Sequence, residues 1–331
     1  MRLFIYAILF MSVLGCGQFS SLIGEDEINF QKPSALGDFE YNVQYKIEFE
    51  KKRTFQDCRI YDFKIESTYP QLNGETFVVE GQLAKPRRAP EPISIVALFP
   101  PIGGKNFIDT GLSNSLCLKG VATFIATSDI SGIQARIVPG VEDHNHGMYR
   151  TVAYMKSLIA HAEEIDEFNH EKVGVLGASL GGLLSVFAMS VLPEVSAGYF
   201  AVAGGDFPSI LANSNQDVAK RLRSYRMSKF GMTSPEEYED YLRRNLRYDP
   251  LDFASEIPTD AVRMVISNKD RKVPTENQWL LHEALGRPLS KVYRWGHIWT
   301  IFFSLGNKDN QDEITDFFVE RFSQDNPRVL N

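Results

Sequence analysis

Residues 172–191, KVGVLGASLGGLLSVFAMSV, decide the fold of this chain. The β-branched residues Val173 and Val175 predict a buried strand, and the apolar run from residue 180 to 192 predicts a helix. Between the two lies Ser179, which has small residues around it. The stretch therefore predicts a strand, a sharp turn and a helix in immediate succession.

A turn of this kind holds Ser179 in a strained backbone conformation. Gly177 and Gly181, two positions before and two after, come close to neighbouring backbone and must lack a side chain. The serine hydroxyl then stands above the sheet, where helix N–H groups and the helix dipole favour negative charge. Small residues around a serine also occur at ordinary tight turns, so the strand and helix context carries the prediction of a nucleophile.

Composition favours one large globular domain. The chain has 331 residues, of which 44% are hydrophobic and 23% charged, and these are ordinary values for a soluble fold. Its net charge is −7, and its lysines and arginines form no stripe that would hold a phosphate backbone. Nucleic acid is therefore not expected as a partner.

The amino terminus has the pattern of an export signal. Arg2 precedes an apolar run over residues 3–14, which is too short to span a bilayer, and Gly15 and Cys16 follow. Residues 13–16, VLGC, resemble the lipobox of bacterial lipoproteins. The resemblance implies removal of residues 1–15 and lipid, such as palmitate, on Cys16. Gly17 after the cysteine implies attachment to the outer membrane. Both the periplasmic side and the cell-surface side of that membrane are compatible with the motif. An ordinary secretory signal or a buried helix is the alternative.

Residues 16–40 are interpreted as a tether and residues 41–331 as the folded domain. Apolar and polar residues alternate at 41–50, 58–68 and 76–84, which predicts antiparallel strands. Continuous apolar runs at 93–99 and 121–126 predict strands buried on both faces. An apolar stripe predicts a helix ahead of the serine strand: Met148, Val152, Met155 and Ile159. Strands that alternate with helices predict an α/β fold, with a mostly parallel central sheet and helices on both faces.

The domain contains two further cysteines, Cys58 and Cys117. Export to an oxidising compartment would allow them to pair. Cys58 lies on an early strand and Cys117 near a helix end, so two separate buried thiols are the favoured interpretation.

Ligands of such sheets gather at the carboxyl ends of the strands. Residues 100–104, PPIGG, follow the first buried strand and allow a tight turn. The backbone N–H groups of Ile102 and Leu180 would together bind the negative oxygen of a tetrahedral intermediate. A plain Gly-Gly turn is the alternative.

A long polar stretch follows the strand at residues 197–203 and predicts a helical cap over about residues 208–249. Its length argues against a structureless loop, and Ser234 with Glu237 has the pattern of a capping box. Tyr225, Phe230 and Tyr241 either face the substrate or hold the cap to the domain, and the second role is at least as well supported.

Three polar residues, each just past a predicted strand of the sheet, occur in the order Ser179, Asp270 and His297. In a catalytic triad His297 would take the proton from Ser179, and Asp270 would hold the imidazole and stabilise its charged form. Asp206 is the alternative acid. Glu142, Asp143, His144 and His146 resemble a metal site in composition only, and a solvated loop is favoured.

Residues 177–181, the 270–274 stretch DRKVP and Gly296-His297 resemble the nucleophile, acid and histidine motifs of the α/β-hydrolase superfamily. The likeness is to its esterase, dienelactone-hydrolase or prolyl-oligopeptidase-like branches. Residues 100–104 stand where that family has a His-Gly-x-Gly-Gly oxyanion loop. The resemblance implies the α/β-hydrolase fold, with the cap inserted after the strand that follows the nucleophile helix.

Together with the lipobox, the resemblance implies a lipid-anchored serine hydrolase of the bacterial cell envelope. It would cleave a small-molecule ester through an acyl-enzyme, without a metal or organic cofactor. Thioester and amide cleavage, peptidase activity and acyl transfer remain open, as does a non-catalytic binding or scaffold lipoprotein on the same fold. The oligomeric state is not predicted.

Overall fold

The computed structural model describes residues 39–68, 74, 76–89, 91–127 and 140–324. The predicted signal peptide and Cys16 lie outside these residues. Within them, nine strands form a single sheet in the order β1-β2-β3-β5-β4-β6-β7-β8-β9. The strands are β1 Gln44–Phe55, β2 Cys58–Thr68, β3 Thr76–Pro86, β4 Ile93–Phe99, β5 Ala122–Ala126, β6 Phe168–Ala178, β7 Val195–Ala201, β8 Val262–Ser267 and β9 Leu289–Tyr293.

The sheet has an antiparallel edge and a parallel remainder. Strands β1, β2, β3 and β5 pair in antiparallel fashion, whereas β5, β4, β6, β7, β8 and β9 run parallel to one another. Strands in which apolar and polar residues alternate thus form the edge of the sheet, and strands with continuous apolar runs form its centre. The reason is that only the central strands are covered by helices on both faces. The predicted mostly parallel sheet is confirmed.

Helices cover both faces of the sheet. They are α1 Phe107–Leu118, α2 Val141–Glu164, α3 Leu180–Val191, α4 Phe207–Asn213, α5 Asp217–Phe230, α6 Pro235–Asn245, α7 Thr275–Ala284, α8 His297–Leu305 and α9 Lys308–Ser323. Along β4, Ala97 and Phe99 pack into the core shared with α2 and α3, whereas Val96 and Leu98 pack into the core shared with α1, α8 and α9. None of the helices in the described ranges has the length and apolarity needed to cross a bilayer.

The packed domain includes Phe39, although the sequence predicts a tether over residues 16–40. Its buried ring lies against Tyr149, Phe187 and Tyr248, with ring centroids 5.1–5.5 Å apart. The chain therefore joins the core at this aromatic residue.

Cys58 and Cys117 form a disulfide, with their Cα atoms 6.1 Å apart. The expectation of two separate thiols is wrong. The start of β2 and the last turn of α1 pack into one small core with Ile60 and Ala84, an approach that the sequence did not reveal. The bond ties the antiparallel edge of the sheet to the first helix of the parallel part.

The insert after β7 contains the three helices α4, α5 and α6. Ser234 caps α6 by accepting the N–H of Glu237 at 3.3 Å, as its sequence predicts. The buried carboxylate of Asp249 accepts the backbone N–H groups of Asp206, Phe207 and Leu251. One side chain thereby holds the two ends of the insert together.

Candidate active site

The turn between β6 and α3 has the predicted strained conformation. Ser179 has φ 58° and ψ −123°, in the left-handed half of conformational space that L-residues avoid. A Cβ on Gly177 would lie 2.2 Å from the carbonyl oxygen of Gly181, and one on Gly181 would lie 1.9 Å from that of Phe99. Both positions must therefore be glycine, as expected.

Ser179, His297 and Asp270 form a continuous hydrogen-bonded chain. The Nε2 atom of His297 lies 2.9 Å from Ser179 Oγ, and its Nδ1 atom lies 2.6 Å from Asp270 Oδ2. All three side chains are buried. The serine comes from the start of α3, the aspartate from the loop after β8 and the histidine from the first residue of α8. Three distant parts of the sequence therefore converge at one edge of the sheet.

The carboxylate of Asp270 accepts three further hydrogen bonds from its own loop and from α7. Its Oδ1 accepts the N–H groups of Lys272 at 2.8 Å and Val273 at 3.1 Å, and its Oδ2 accepts Gln278 Nε2 at 2.9 Å. The Asp270 N–H donates to Thr275 Oγ1. These bonds fix the carboxylate in the orientation that places Oδ2 toward the imidazole.

Gln278 is a positioning residue that sequence reasoning missed. It is fully buried, its Nε2 also donates to the Val273 carbonyl at 2.8 Å, and its Oε1 accepts the Ser267 N–H at 2.9 Å. It therefore joins the end of β8, the acid loop and α7. The only sequence signal was its place in the helix that follows the acid loop.

Asp206, the alternative acid, makes different contacts. Its carboxylate caps α4 through the Ser209 N–H at 3.2 Å and forms an ion pair with Arg243 at 2.7 Å. It holds the insert rather than the imidazole, which leaves Asp270 as the acid in contact with His297.

Ile102 and Leu180, whose N–H groups are expected to bind an oxyanion, both line the cavity that contains Ser179. The turn at residues 101–104 is closed by a bond from the Gly104 N–H to the Pro101 carbonyl at 3.1 Å. Gly103 has φ 104° and Gly104 φ 84°, so the turn needs both glycines. The structure thus brings both backbone segments beside the serine.

The cavity beside Ser179 is small and apolar, with a volume of about 60 Å³. Typical ligand pockets hold about 300–1,000 Å³. Its apolar lining comes from α3 and from the insert: Leu183, Phe207, Ile210, Leu211 and Val218. Gln216 and Lys272 also line it, and the buried Oε1 of Gln216 has no hydrogen-bond partner among the described residues. The insert therefore forms a wall of this cavity.

The aromatic residues suggested from the sequence do not line the cavity. Tyr241 is buried and packs against Phe230 with ring centroids 5.1 Å apart, and Tyr225 is partly exposed. Tyr241 and Phe230 pack into the main core of the domain, which is the alternative role of holding the cap to the domain. The aromatic residue that does line the cavity is Phe207, and its contact depends on packing between α4 and α3.

The segment 142–146 is helical, so the expected solvated loop is wrong. It forms the first turns of α2, where His146 and Glu142 are 3.6 Å apart. His144 is buried, its Nε2 lies 3.3 Å from the Arg226 guanidinium, and burial lowers the pKa of its imidazole well below the usual value. Among the described residues no group of three or more His, Cys, Asp and Glu side chains is arranged to hold a metal ion.

Neither a protein-family model nor a curated protein sequence matches this chain. Solved structures do match it. An acetyl xylan esterase from Paenibacillus sp. R4 has a TM-score of 0.63 at 14% identity, over 86% of this chain and 91% of that chain. Acetyl xylan esterase 1 from Thermoanaerobacterium sp. JW/SL YS485 has a TM-score of 0.61 at 16% identity, over 84% and 88%.

A larger protein also shares the fold. The acylaminoacyl peptidase of Pyrococcus horikoshii has a TM-score of 0.52 at 12% identity, over 87% of this chain and 43% of that chain. At these identities the likeness concerns the fold alone.

Proposed function

We propose that this chain, which has the α/β-hydrolase fold, is a serine hydrolase that cleaves carboxylic esters through an acyl-enzyme. The observation that carries the proposal is the hydrogen-bonded chain from Ser179 through His297 to Asp270 beside a cavity. A hydroxyl, an imidazole and a carboxylate in this order form the arrangement that activates serine for attack on a carbonyl.

The mechanism follows from the contacts. His297 Nε2 takes the proton of Ser179 Oγ as that oxygen attacks the ester carbonyl carbon, and Asp270 stabilises the imidazolium that forms. The N–H groups of Leu180 and Ile102 bind the negative oxygen of the tetrahedral intermediate, and loss of one such donor typically costs about 3–4 kcal/mol of transition-state stabilisation. The imidazolium then protonates the leaving alcohol. Water, activated by the same imidazole, attacks the acyl-enzyme and restores the free serine.

The cavity limits the acyl group. With about 60 Å³ and an apolar lining, the space beside Ser179 fits a short acyl chain. Two solved structures of similar fold are acetyl xylan esterases, which supports an acetyl-sized acyl group as the first substrate to try.

The location is part of the proposal. The lipobox-like residues 13–16 support export, processing before Cys16 and attachment of lipid to that cysteine, so that the enzyme would work in the bacterial cell envelope and at the outer membrane. Mass spectrometry of the mature amino terminus tests this point separately from catalysis. An unlipidated Cys16 on the mature protein would contradict it.

The catalytic proposal is tested with a fluorophosphonate probe and an ester series. We expect the probe to label the protein and to leave a folded Ser179→Ala variant unlabelled. Among p-nitrophenyl esters, kcat/KM should be highest for acetate or propionate and fall with longer chains, and aminoacyl-nitroanilides should be poor substrates. A folded protein that takes up no probe would contradict the proposal, and a preference for the nitroanilides would assign it as a peptidase.

A further inference from the structure

Helix α8 presents only large apolar side chains to solvent, whereas three of its five buried residues are polar. Its buried positions include His297, Thr300 and Ser304. Its exposed positions are all large and apolar. A helix on a water-facing surface normally has the opposite polarity. The exposed set continues before the helix and onto α1, and we call it the aromatic face: Phe107, Trp295, Ile298, Trp299, Phe302 and Phe303.

The aromatic face is continuous. Phe303 packs against Trp295, Trp299 and Phe302 with ring centroids 5.5–5.8 Å apart, and Phe302 lies 6.4 Å from Phe107. The six side chains are between 37% and 70% exposed. With about 150–250 Å² for each aromatic side chain, the face offers roughly 500 Å² of apolar surface, a size that is often functional. Exposed apolar residues that are scattered singly are normal on a protein surface, whereas a contiguous patch of this size indicates a binding surface.

Two exposed cations adjoin the segment that carries most of the aromatic face, although the whole chain has a net charge of −7. No aspartate or glutamate occurs between Arg287 and Lys308 in the sequence. Arg294, next to Trp295, is exposed, and so is Lys269, whose carbonyl oxygen lies 3.5 Å from where a Cβ on Gly296 would be. Neither forms an ion pair with an acid in the described part of the chain. Tryptophan and phenylalanine beside lysine and arginine are typical of surfaces that lie in a lipid headgroup region.

We propose that the aromatic face docks on an anionic lipid bilayer. The rings enter the boundary between headgroups and acyl chains, and Lys269 and Arg294 lie against the lipid phosphates. The segment between Cys16 and Phe39 is long enough to allow this, since its residues span at most about 75 Å when extended. Docking holds the start of α8, and with it His297, at the membrane surface. The proposal does not depend on ester cleavage.

The test measures lipid contact of individual tryptophans in the full chain, reconstituted with vesicles. The chain has three tryptophans. A Trp279→Phe variant keeps the two in the aromatic face, and a Trp295→Phe/Trp299→Phe variant keeps the one on α7 as a matched control. Vesicles of phosphatidylethanolamine and phosphatidylglycerol with brominated acyl chains should quench the first variant and leave the second unquenched. Raised salt, or replacement of phosphatidylglycerol by phosphatidylcholine, should reduce the quenching.

Two results would overturn the proposal. One is the absence of quenching in the folded Trp279→Phe variant. The other is a dimer in sedimentation equilibrium that dissociates when Phe302 is replaced by serine but not when Phe55, an exposed phenylalanine of β1, is replaced in the same way. That result would assign the aromatic face to a second copy of the chain. The vesicle experiment measures fluorescence and the ester assay measures hydrolysis. A negative result in either experiment therefore leaves the other one interpretable.

Discussion

Replacement of Gln278 by leucine tests how the acid of the triad is held. Leucine fills nearly the same volume, so the cavity term is small, but the Ser267 N–H and the Val273 carbonyl lose their partner and Asp270 loses a donor. Each buried polar group left unsatisfied costs about 1–3 kcal/mol. We therefore expect the free energy of unfolding to fall by about 3 kcal/mol.

The effect on catalysis should be separate from the effect on stability. Without Gln278, Asp270 Oδ2 keeps His297 but loses the donor that orients it, and a misplacement of about 1 Å at a catalytic group can reduce the rate by about 10²-fold. We expect kcat for p-nitrophenyl acetate to fall by about 10- to 100-fold with KM nearly unchanged.

The assay combines urea unfolding with steady-state measurement of kcat and KM. Gln311→Leu is the matched control: Gln311 is a buried glutamine on α9 that donates to the Leu305 carbonyl at 2.9 Å and makes no contact with the acid loop. It should lose comparable stability and keep its kcat and KM. If both variants lose kcat equally, or if Gln278→Leu is folded with unchanged kcat, the positioning role assigned to Gln278 is refuted.

Three further predictions concern stability and the cavity. Replacing both Cys58 and Cys117 by serine should lower the free energy of unfolding by about 4 kcal/mol, from loop entropy at a separation of 59 residues, and a change below 1 kcal/mol in urea unfolding would contradict this. Burial raises the pKa of Asp109 to about 6, above an unfolded value near 4, so its stabilising contribution is complete below about pH 4 and is lost as pH rises through about 6. Asp109→Asn should remove this dependence, at most about 3 kcal/mol, and equal pH dependence of unfolding in both proteins would argue against it. Leu211→Ala enlarges the cavity beside Ser179 and should raise kcat/KM for p-nitrophenyl hexanoate relative to acetate, whereas an unchanged ratio would place the acyl group elsewhere.

The sequence predicted those features that depend on local pattern and on chain order. The glycines around Ser179 predicted the strained turn, and the continuous apolar runs predicted the parallel centre of the sheet. The order of Ser179, Asp270 and His297 predicted that the three would meet, because each follows an element whose end lies at the same edge. The structure places them within hydrogen-bonding distance of one another.

Features that depend on the packing of distant elements could not be predicted in this way. The Cys58–Cys117 disulfide requires the end of α1 to approach the start of β2. The burial of His144 requires the insert to cover the first turns of α2, and the choice of Phe207 over Tyr241 as a cavity residue depends on how α4 lies against α3. Gln278 reaches Asp270 because the rotation of α7 about its axis turns this side chain toward the acid loop. In each case the sequence identifies both residues but does not show that they are in contact.

The central claim is that Ser179 carries the acyl group of the substrate. Rapid acid quenching of p-nitrophenyl acetate turnover, followed by mass spectrometry of the digested protein, tests it most directly. We expect an acetyl group on the peptide that contains Ser179, formed within the first turnover and absent from the folded Ser179→Ala variant. Release of p-nitrophenol by the wild-type protein with no adduct on that peptide, or an equal rate in the Ser179→Ala variant, would contradict it.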